Sequence, residues 1–470
     1  MQTPFKLLIG GELVAGAATV PVINPASGEP FAHAPVADVA MVNAAVEAAN
    51  RAFGQWAASP PAQRKALLEQ LAREMDAHAE ELAQVLTREQ GKPLRFARAE
   101  VTRAAQRIRD LLTLELADRV LEQTPSGRIV DQVLPLGVVA AITPWNFPVA
   151  MLVNKLAPAL LTGNCVIVKP APSTPLTTLK IGEICQRIFP AGVVSVIADR
   201  NDLGQCLSEH PGIAKVSFTG STLTGRRVMA SAAGTLKRIT LELGGNDGAL
   251  VLDDVDVADA ARKVFAGAMM NSGQVCLAIK RAYVPERIHD EFCERLRQLA
   301  DAAVVGDGMD PRTELGPVQN KAQFERVAAL IRAAAATGRI IAGGESLDRP
   351  GYFIPPTIVA DLDEAAPLVA EEQFGPVLPV LRYSALADAI AAMNDSPYAL
   401  GATVWTSDPA RGADVATRLL AGTVWVNHHL DVRHDIPFRG LKQSGFGVEL
   451  GVEGLNEFVQ HRIVNVRLAA

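Results

Sequence analysis

The chain has 470 residues, too many for one hydrophobic core, so two or three domains are expected. Hydrophobic residues at 49% and charged residues at 20% are ordinary for a globular protein, and a formal charge of −6 lacks the concentrated basic charge that nucleic-acid binding requires. No apolar run approaches the roughly 20 residues that span a bilayer, and Met1 to Lys6 do not read as the start of a signal peptide, so no membrane partner is expected.

Short strands broken by turns open the chain, around Ile9-Gly10-Gly11-Glu12 and Ile23-Asn24-Pro25. Helical periodicity follows over 38–58, closed by Pro60-Pro61, then over 63–88 and 95–116, with Gly91-Lys92-Pro93 between. An exposed strand is predicted at 127–134 and a strand buried on both faces at 137–143. Strands and helices then alternate: strands at 166–168, 193–197 and 216–218, helices at 177–188, 202–209 and 222–233. A second alternating series runs from Ala249 to Val426, and a short strand at 463–467 closes the chain. Such alternation predicts parallel sheets covered by helices, the α/β class.

Five cysteines (Cys165, Cys185, Cys206, Cys276 and Cys293) show no CxxC spacing, which fits a reducing, cytoplasmic compartment. His428, His429 and His434 have no cysteine nearby in sequence, and no metal site is expected. Cys276 lies in Asn271-Ser272-Gly273-Gln274-Val275-Cys276, where a glycine three residues before the sulfur permits close approach of backbone or ligand. It is either a nucleophile or a buried structural thiol.

Other segments carry polar groups at strand ends. Thr143-Pro144-Trp145-Asn146-Phe147-Pro148 fixes one asparagine between two prolines, either a turn or a rigid donor for a developing oxyanion. Lys169 ends a buried strand, where ligands bind in open α/β sheets, or else is simply solvated. Gly220-Ser221 to Gly225 joins a strand to a helix with GxxxxG spacing, and free amides there suit a diphosphate. Glu242 sits between Leu241 and Leu243, beside Gly244 and Gly245; in apolar surroundings its pKa would rise toward the range of a general base.

Taken in order, TPWNFP, VKP, FTGS, ELGG, GQVC, EEQFGP and PFRGLKQSG make the chain resemble the aldehyde dehydrogenase superfamily, from Asn24-Pro25 to the last strand. The resemblance implies a Rossmann-type cofactor domain, an α/β catalytic domain and a small β oligomerisation arm. It implies oxidation of an aldehyde to the carboxylic acid with NAD, or NADP, through a cysteine thiohemiacetal and thioester. Cys276 matches the nucleophile, Asn146 the oxyanion donor and Glu242 the base that activates water. Thr143, Pro144, Trp145, Lys169, Gly220, Ser221, Gly225, Leu243, Glu372 and Phe374 match cofactor contacts. A homodimer or homotetramer is implied too. The competing readings are a coenzyme A-acylating enzyme, which generally lacks the base, and a non-catalytic homologue, which would lose Cys276 or Glu242.

Three positions depart from the family pattern: Pro172 where many members carry an acid, Asn246 where many carry lysine, and Arg439 where a glycine is common. The first leaves NAD against NADP open. Phe147, Met151, Arg433 and Phe438 are the candidate substrate contacts: Arg433, or a histidine beside it, could pair with the carboxylate of a semialdehyde, and Phe147 and Met151 could instead line a tunnel for an aromatic or aliphatic aldehyde. The expected domains are 1–122 with 137–241 and part of 434–455 for the cofactor, 242–433 for catalysis, and 123–136 with 456–470 as the arm.

Overall fold

The computed structural model describes residues 5–467, so the outermost ends of the expected first and last segments, 1–4 and 468–470, lie outside the described residues. Two sheets organise the chain. The first has eight strands, and its centre is parallel in the spatial order Val194–Val196, Cys165–Lys169, Val138–Ile142, Lys215–Thr219, Arg238–Glu242. Numbered along the chain, this is the order 3-2-1-4-5 of a doubly wound sheet. Its topological switch point falls between Val138–Ile142 and Lys215–Thr219, where ligands bind outside the carboxyl ends. All residues of Val138–Ile142, Cys165–Lys169 and Lys215–Thr219 are buried, because helices cover both faces.

The second sheet has seven strands and is parallel except at the edge pair Arg339–Ala342 with Thr357–Ala360. Separate apolar clusters on its two faces are built around Val264, Phe292 and Leu296 on one side and Val327, Ile331 and Leu381 on the other. A third, antiparallel sheet pairs Val459–Arg467 along its whole length with Gly127–Pro135, which pairs in turn with Arg119–Thr124. The C-terminal strand is therefore nine residues long, not the short segment expected at 463–467.

Several expected helices differ. The periodic segment 63–88 is two helices, Pro61–Ala77 and Ala79–Gln90, because His78 leaves helical geometry at φ −101 and ψ 14. Pro61 starts a helix, as suits a residue with fixed φ and no N–H to lose. The helix expected at 95–116 stops at Leu111. Pro148–Leu161 is a helix that the prolines at 148 and 158 disguise.

Asn164 ties the first sheet to the third. Its Oδ1 accepts the amides of Leu136 and Gly137 at 2.7 and 2.9 Å, and its Nδ2 donates to Phe458 O at 2.8 Å. Leu136 and Gly137 link the Gly127–Pro135 strand to the core sheet, and Phe458 precedes the last strand. Asn164→Ala strands these buried groups at a cost of about 1–3 kcal/mol each. A melting temperature lowered by several degrees in a thermal unfolding scan is the expected result, and an unchanged one removes Asn164 from this role.

Candidate active site

The Val257–Met269 helix, N-capped by Asp256, runs directly into the cysteine segment. There the chain turns left-handed for three residues, with φ of 49 at Asn271, 55 at Ser272 and 71 at Gly273. Such backbone costs of order 1–3 kcal/mol at a non-glycine residue, so the surroundings must hold it. They do so with hydrogen bonds: Ser272 Oγ donates to Gly316 O at 2.7 Å, Gln274 Nε2 to Asn271 O at 2.8 Å, and Gln319 N to Gln274 Oε1 at 2.8 Å. Gly273 meets the Phe374-Gly375-Pro376 turn so closely that a Cβ would lie 2.0 Å from Gly375 O. The close approach expected of this glycine is thus to backbone.

Lys280 holds the other side of the loop. Its buried ammonium donates to Val275 O at 2.9 Å, Cys276 O at 2.5 Å and Ala278 O at 3.3 Å, and lies 3.6 Å from Glu372 Oε1. Sequence reasoning missed it. The signal was a basic pair, Lys280-Arg281, closing the apolar run Val275 to Ile279.

Asn146 comes in from the first sheet. Its Nδ2 donates to Gln274 O at 2.9 Å, two residues before the sulfur, which leaves its second N–H free. Its own carbonyl accepts Lys92 Nζ at 2.9 Å and Asn271 Nδ2 at 3.2 Å. Lys92 is in turn paired with Glu100, which caps the Pro148–Leu161 helix by accepting Val149 N and Ala150 N at 3.0 and 3.1 Å. Lys92, read only as punctuation, is a buried brace.

Glu242 ends the strand Arg238–Glu242 and is buried, and neither carboxylate oxygen has a partner with good hydrogen-bond geometry. Burial pushes its pKa to about 8; Glu449 adds to the rise, and the nearby Cys276 thiol opposes it. Burial, and then the charge of Glu242, pushes the Cys276 thiol well above its usual value. Near pH 7 the two groups therefore face each other largely in their protonated forms. Behind Glu242, Lys155 and Glu449 form an ion pair at 2.5 Å.

The expected cofactor residues gather at the switch point. Thr143, Pro144 and Trp145 follow the strand Val138–Ile142, and Thr143 N donates to Lys169 O at 3.0 Å. Ser221 caps the Thr222–Ala233 helix, its Oγ accepting Thr224 N at 3.3 Å. Gly220 and Gly225 have no room for side chains: a Cβ would lie 2.5 Å from Phe218 and 2.4 Å from Leu243. Lys169 Nζ lies 2.8 Å from Asp199 Oδ1. Across the cleft, Glu372 Oε1 accepts Gly245 N at 3.0 Å, and the Phe374 ring meets Trp145 edge to face at 5.3 Å. Thr143 Oγ1 and Thr219 Oγ1 are buried without partners, polar atoms that a bound dinucleotide can satisfy.

The substrate candidates divide. Phe147, Phe438 and Val432 pack in the small apolar cluster around Cys276 and Leu277, and Met151 lies one helical turn beyond Phe147. Arg433 does not join them. It is exposed and paired with Asp435 at 2.6 Å, because its short loop supplies a carboxylate two residues away. The semialdehyde role expected of Arg433 thus finds no contact with the Cys276 cluster in its support. The histidines separate too: His429 is half-buried against Trp425 with Nε2 2.7 Å from Leu277 O, while His434 lies 3.2 Å from Asp110.

Lys280→Met removes the cation that holds three carbonyls of the Cys276 loop and leaves Glu372 unneutralised. Turnover with any good aldehyde is expected to fall by about tenfold or more, ~1.4 kcal/mol. Steady-state kinetics beside a circular dichroism spectrum checks this, and a folded variant with full kcat refutes it.

Residues 13–464 match the family model described as "Aldehyde dehydrogenase family". The phenylacetaldehyde dehydrogenase of Pseudomonas fluorescens is 39% identical, with 98% of this chain and 96% of that protein aligned. The crystal structure of an E. coli NADP-dependent enzyme superposes with a TM-score of 0.96 at 34% identity, covering 99% of this chain and 98% of the other. Betaine aldehyde dehydrogenase from Staphylococcus aureus, in complex with NAD+, gives a TM-score of 0.96 at 32% identity over 99% of this chain and 95% of its own. With a model match over nearly its whole length, and a site in which a cysteine, a buried glutamate and an asparagine amide meet, this chain belongs to the aldehyde dehydrogenase family.

Proposed function

We propose that the protein oxidises an aldehyde to the free carboxylic acid with a nicotinamide dinucleotide. The observation that carries this reading is the convergence of Glu242 and Asn146, from the first sheet, on the half-buried Cys276 loop, which runs into the second. Cys276 Sγ bonds to the carbonyl carbon and its proton leaves, for which Glu242 is the adjacent acceptor. The free N–H of Asn146 and the backbone amide of Cys276 donate to the oxygen that becomes negative. The chemistry a bound nicotinamide supplies is acceptance of the carbon-bound hydride, which turns the adduct into a thioester. Glu242 first releases the thiol proton to solvent; ionised again, it takes a proton from water as the water oxygen bonds to the thioester carbon, and the C–S bond breaks to release the acid and restore the sulfur. A base at this position favours water over coenzyme A as acceptor.

The partnerless hydroxyls of Thr143 and Thr219, with the glycines beside Ser221, support dinucleotide binding at the switch point. Lys169 faces the adenosine ribose in this reading, and Glu372 and Phe374 the nicotinamide ribose. Pro172 brings no carboxylate to repel a 2′-phosphate, so both NAD and NADP serve. The proposed domain division is that of the two sheets, with the third as an arm. Exposed Val120, Leu121, Ile463 and Val466 on that arm support a homodimer or homotetramer. Five free cysteines support a reducing, cytoplasmic location.

Cys276→Ser is expected to abolish aldehyde-dependent cofactor reduction. Glu242→Gln should slow the first-turnover burst and lose steady turnover more severely, with the acyl-enzyme visible by mass spectrometry; steady turnover at the parent rate removes Glu242 as the base. In the parent, a carboxyl with a pKa near 8 is mostly protonated at pH 6 and mostly ionised at pH 9. Ionised carboxylate is the active form, so kcat should rise with pH, pass half its limit near pH 8 and level off about a unit beyond. A flat profile from pH 6 to 9 contradicts the assignment, provided hydrolysis limits the rate.

A further inference from the structure

One buried glutamine is neither a reacting group nor an expected cofactor contact. Gln319 stands just before the helix Lys321–Ala335 and is 2% exposed. Its side-chain amide donates to Glu89 O at 3.0 Å and to Ser173 O at 3.2 Å, and its backbone N donates to Gln274 Oε1 at 2.8 Å. Gln274 lies two residues before the sulfur, and its carbonyl accepts Asn146 Nδ2 at 2.9 Å. Ser173 follows Lys169 by four residues, in the connection from the strand Cys165–Lys169 to the helix Leu176–Ile188. One residue therefore touches both the connection proposed to face the adenosine and the loop of the proposed nucleophile.

Both ends of this link are anchored. Glu89, whose carbonyl Gln319 meets, also caps the helix after Ser173, its carboxylate accepting Leu176 N at 2.7 Å and Thr177 N at 2.9 Å. Gly316, three residues before Gln319, packs so closely on the turn after Glu89 that a Cβ would lie 2.0 Å from Gly91 O. At the sulfur end, Ser272 Oγ and Gln274 Nε2 donate to Gly316 O and Pro317 O at 2.7 and 3.4 Å. The left-handed backbone at Asn271 and Ser272 is strained and keeps its shape only while such contacts hold. That turn is the element that a contact from the cofactor side can tighten or release.

We propose that Gln319 is a positioning residue that couples the adenosine end of the cofactor cleft to the Cys276 loop, so that a nucleotide seated there raises the reactivity of the sulfur. The inference rests on the dinucleotide-binding reading of the Lys169 to Ser173 connection and adds the route by which occupancy is felt at Cys276. A nucleotide against that connection fixes the Ser173 carbonyl. Gln319 carries the constraint to Gln274. With Gln274 held, its carbonyl keeps the Asn146 amide beside the sulfur, and the second N–H of that amide is available to the thiolate, the form that reacts.

The probe is ADP, which carries the adenosine and diphosphate but no nicotinamide ribose, and so acts on the sulfur only through the protein. Alkylation of Cys276 by iodoacetamide is timed by mass spectrometry with and without saturating ADP, whose binding is measured by calorimetry. In the parent, ADP is expected to raise the alkylation rate by about fivefold or more. Gln319→Leu, which keeps the backbone N and loses both side-chain donors, should bring that ratio close to one while still binding ADP. Gln274→Met, which breaks the link from the sulfur side, should do the same and guards against a first variant that fails to fold or to bind. A role in packing alone would lower the melting temperature and leave the ratio at the parent value. A parent whose alkylation is unchanged or slowed by bound ADP, or a folded Gln319→Leu protein that keeps the parent ratio, overturns the proposal. If neither ADP nor NAD binds the parent, the dinucleotide-binding reading fails instead.

Discussion

The contact between Gly273 and the carbonyl of Gly375 sets the geometry on which the rest of the site depends. With no side chain at 273, the left-handed turn after the Val257–Met269 helix sits directly on the Phe374-Gly375-Pro376 turn. Glu372 and Phe374 therefore stand on the same support as the sulfur, and one turn positions both the proposed nucleophile and residues proposed to face the nicotinamide ribose. Lys280 locks the opposite side through backbone carbonyls, so the sulfur is held by main-chain geometry more than by side-chain packing.

Electrostatics then follow from burial. Glu242 has neither a cation nor a hydrogen-bond donor of good geometry on its oxygens, so desolvation dominates and its pKa rises to about 8. A nearby ammonium would lower that value and make the carboxylate a weaker base. Lys155, the buried cation behind it, is occupied by Glu449, and Lys280 by three carbonyls and Glu372. Lysines surround the site, yet each already has its partners, and the thiol and carboxyl are left to exchange protons with each other and with substrate.

The same principle shows by contrast behind the site. There Glu100 and Glu449 hold cation partners, while Arg107 has no carboxylate partner within 4.0 Å among the described residues. Arg433 is exposed and paired with a carboxylate two residues away; Arg107 is half-buried and donates to an amide. Position relative to solvent and to neighbouring charge separates them, and residue type does not.

Much of this was legible in the sequence. Alternating short apolar strands and helices identified the α/β class, since strands buried on both faces leave continuous apolar runs. Glycines at 220, 225 and 273 showed where backbone comes close, and the ordered motifs identified the family. What composition and local pattern could not show was pairing across long separations. Lys92 meets Asn146 and Lys155 meets Glu449, at separations of 54 and 294 residues, and no local periodicity encodes such partners. The split helix at His78 and the proline-bearing helix 148–161 went unread because tertiary packing overrides local propensity. Local chemistry determined which residues can react; only the folded chain decided which charges are already satisfied, because that depends on neighbours brought together from distant parts of the sequence.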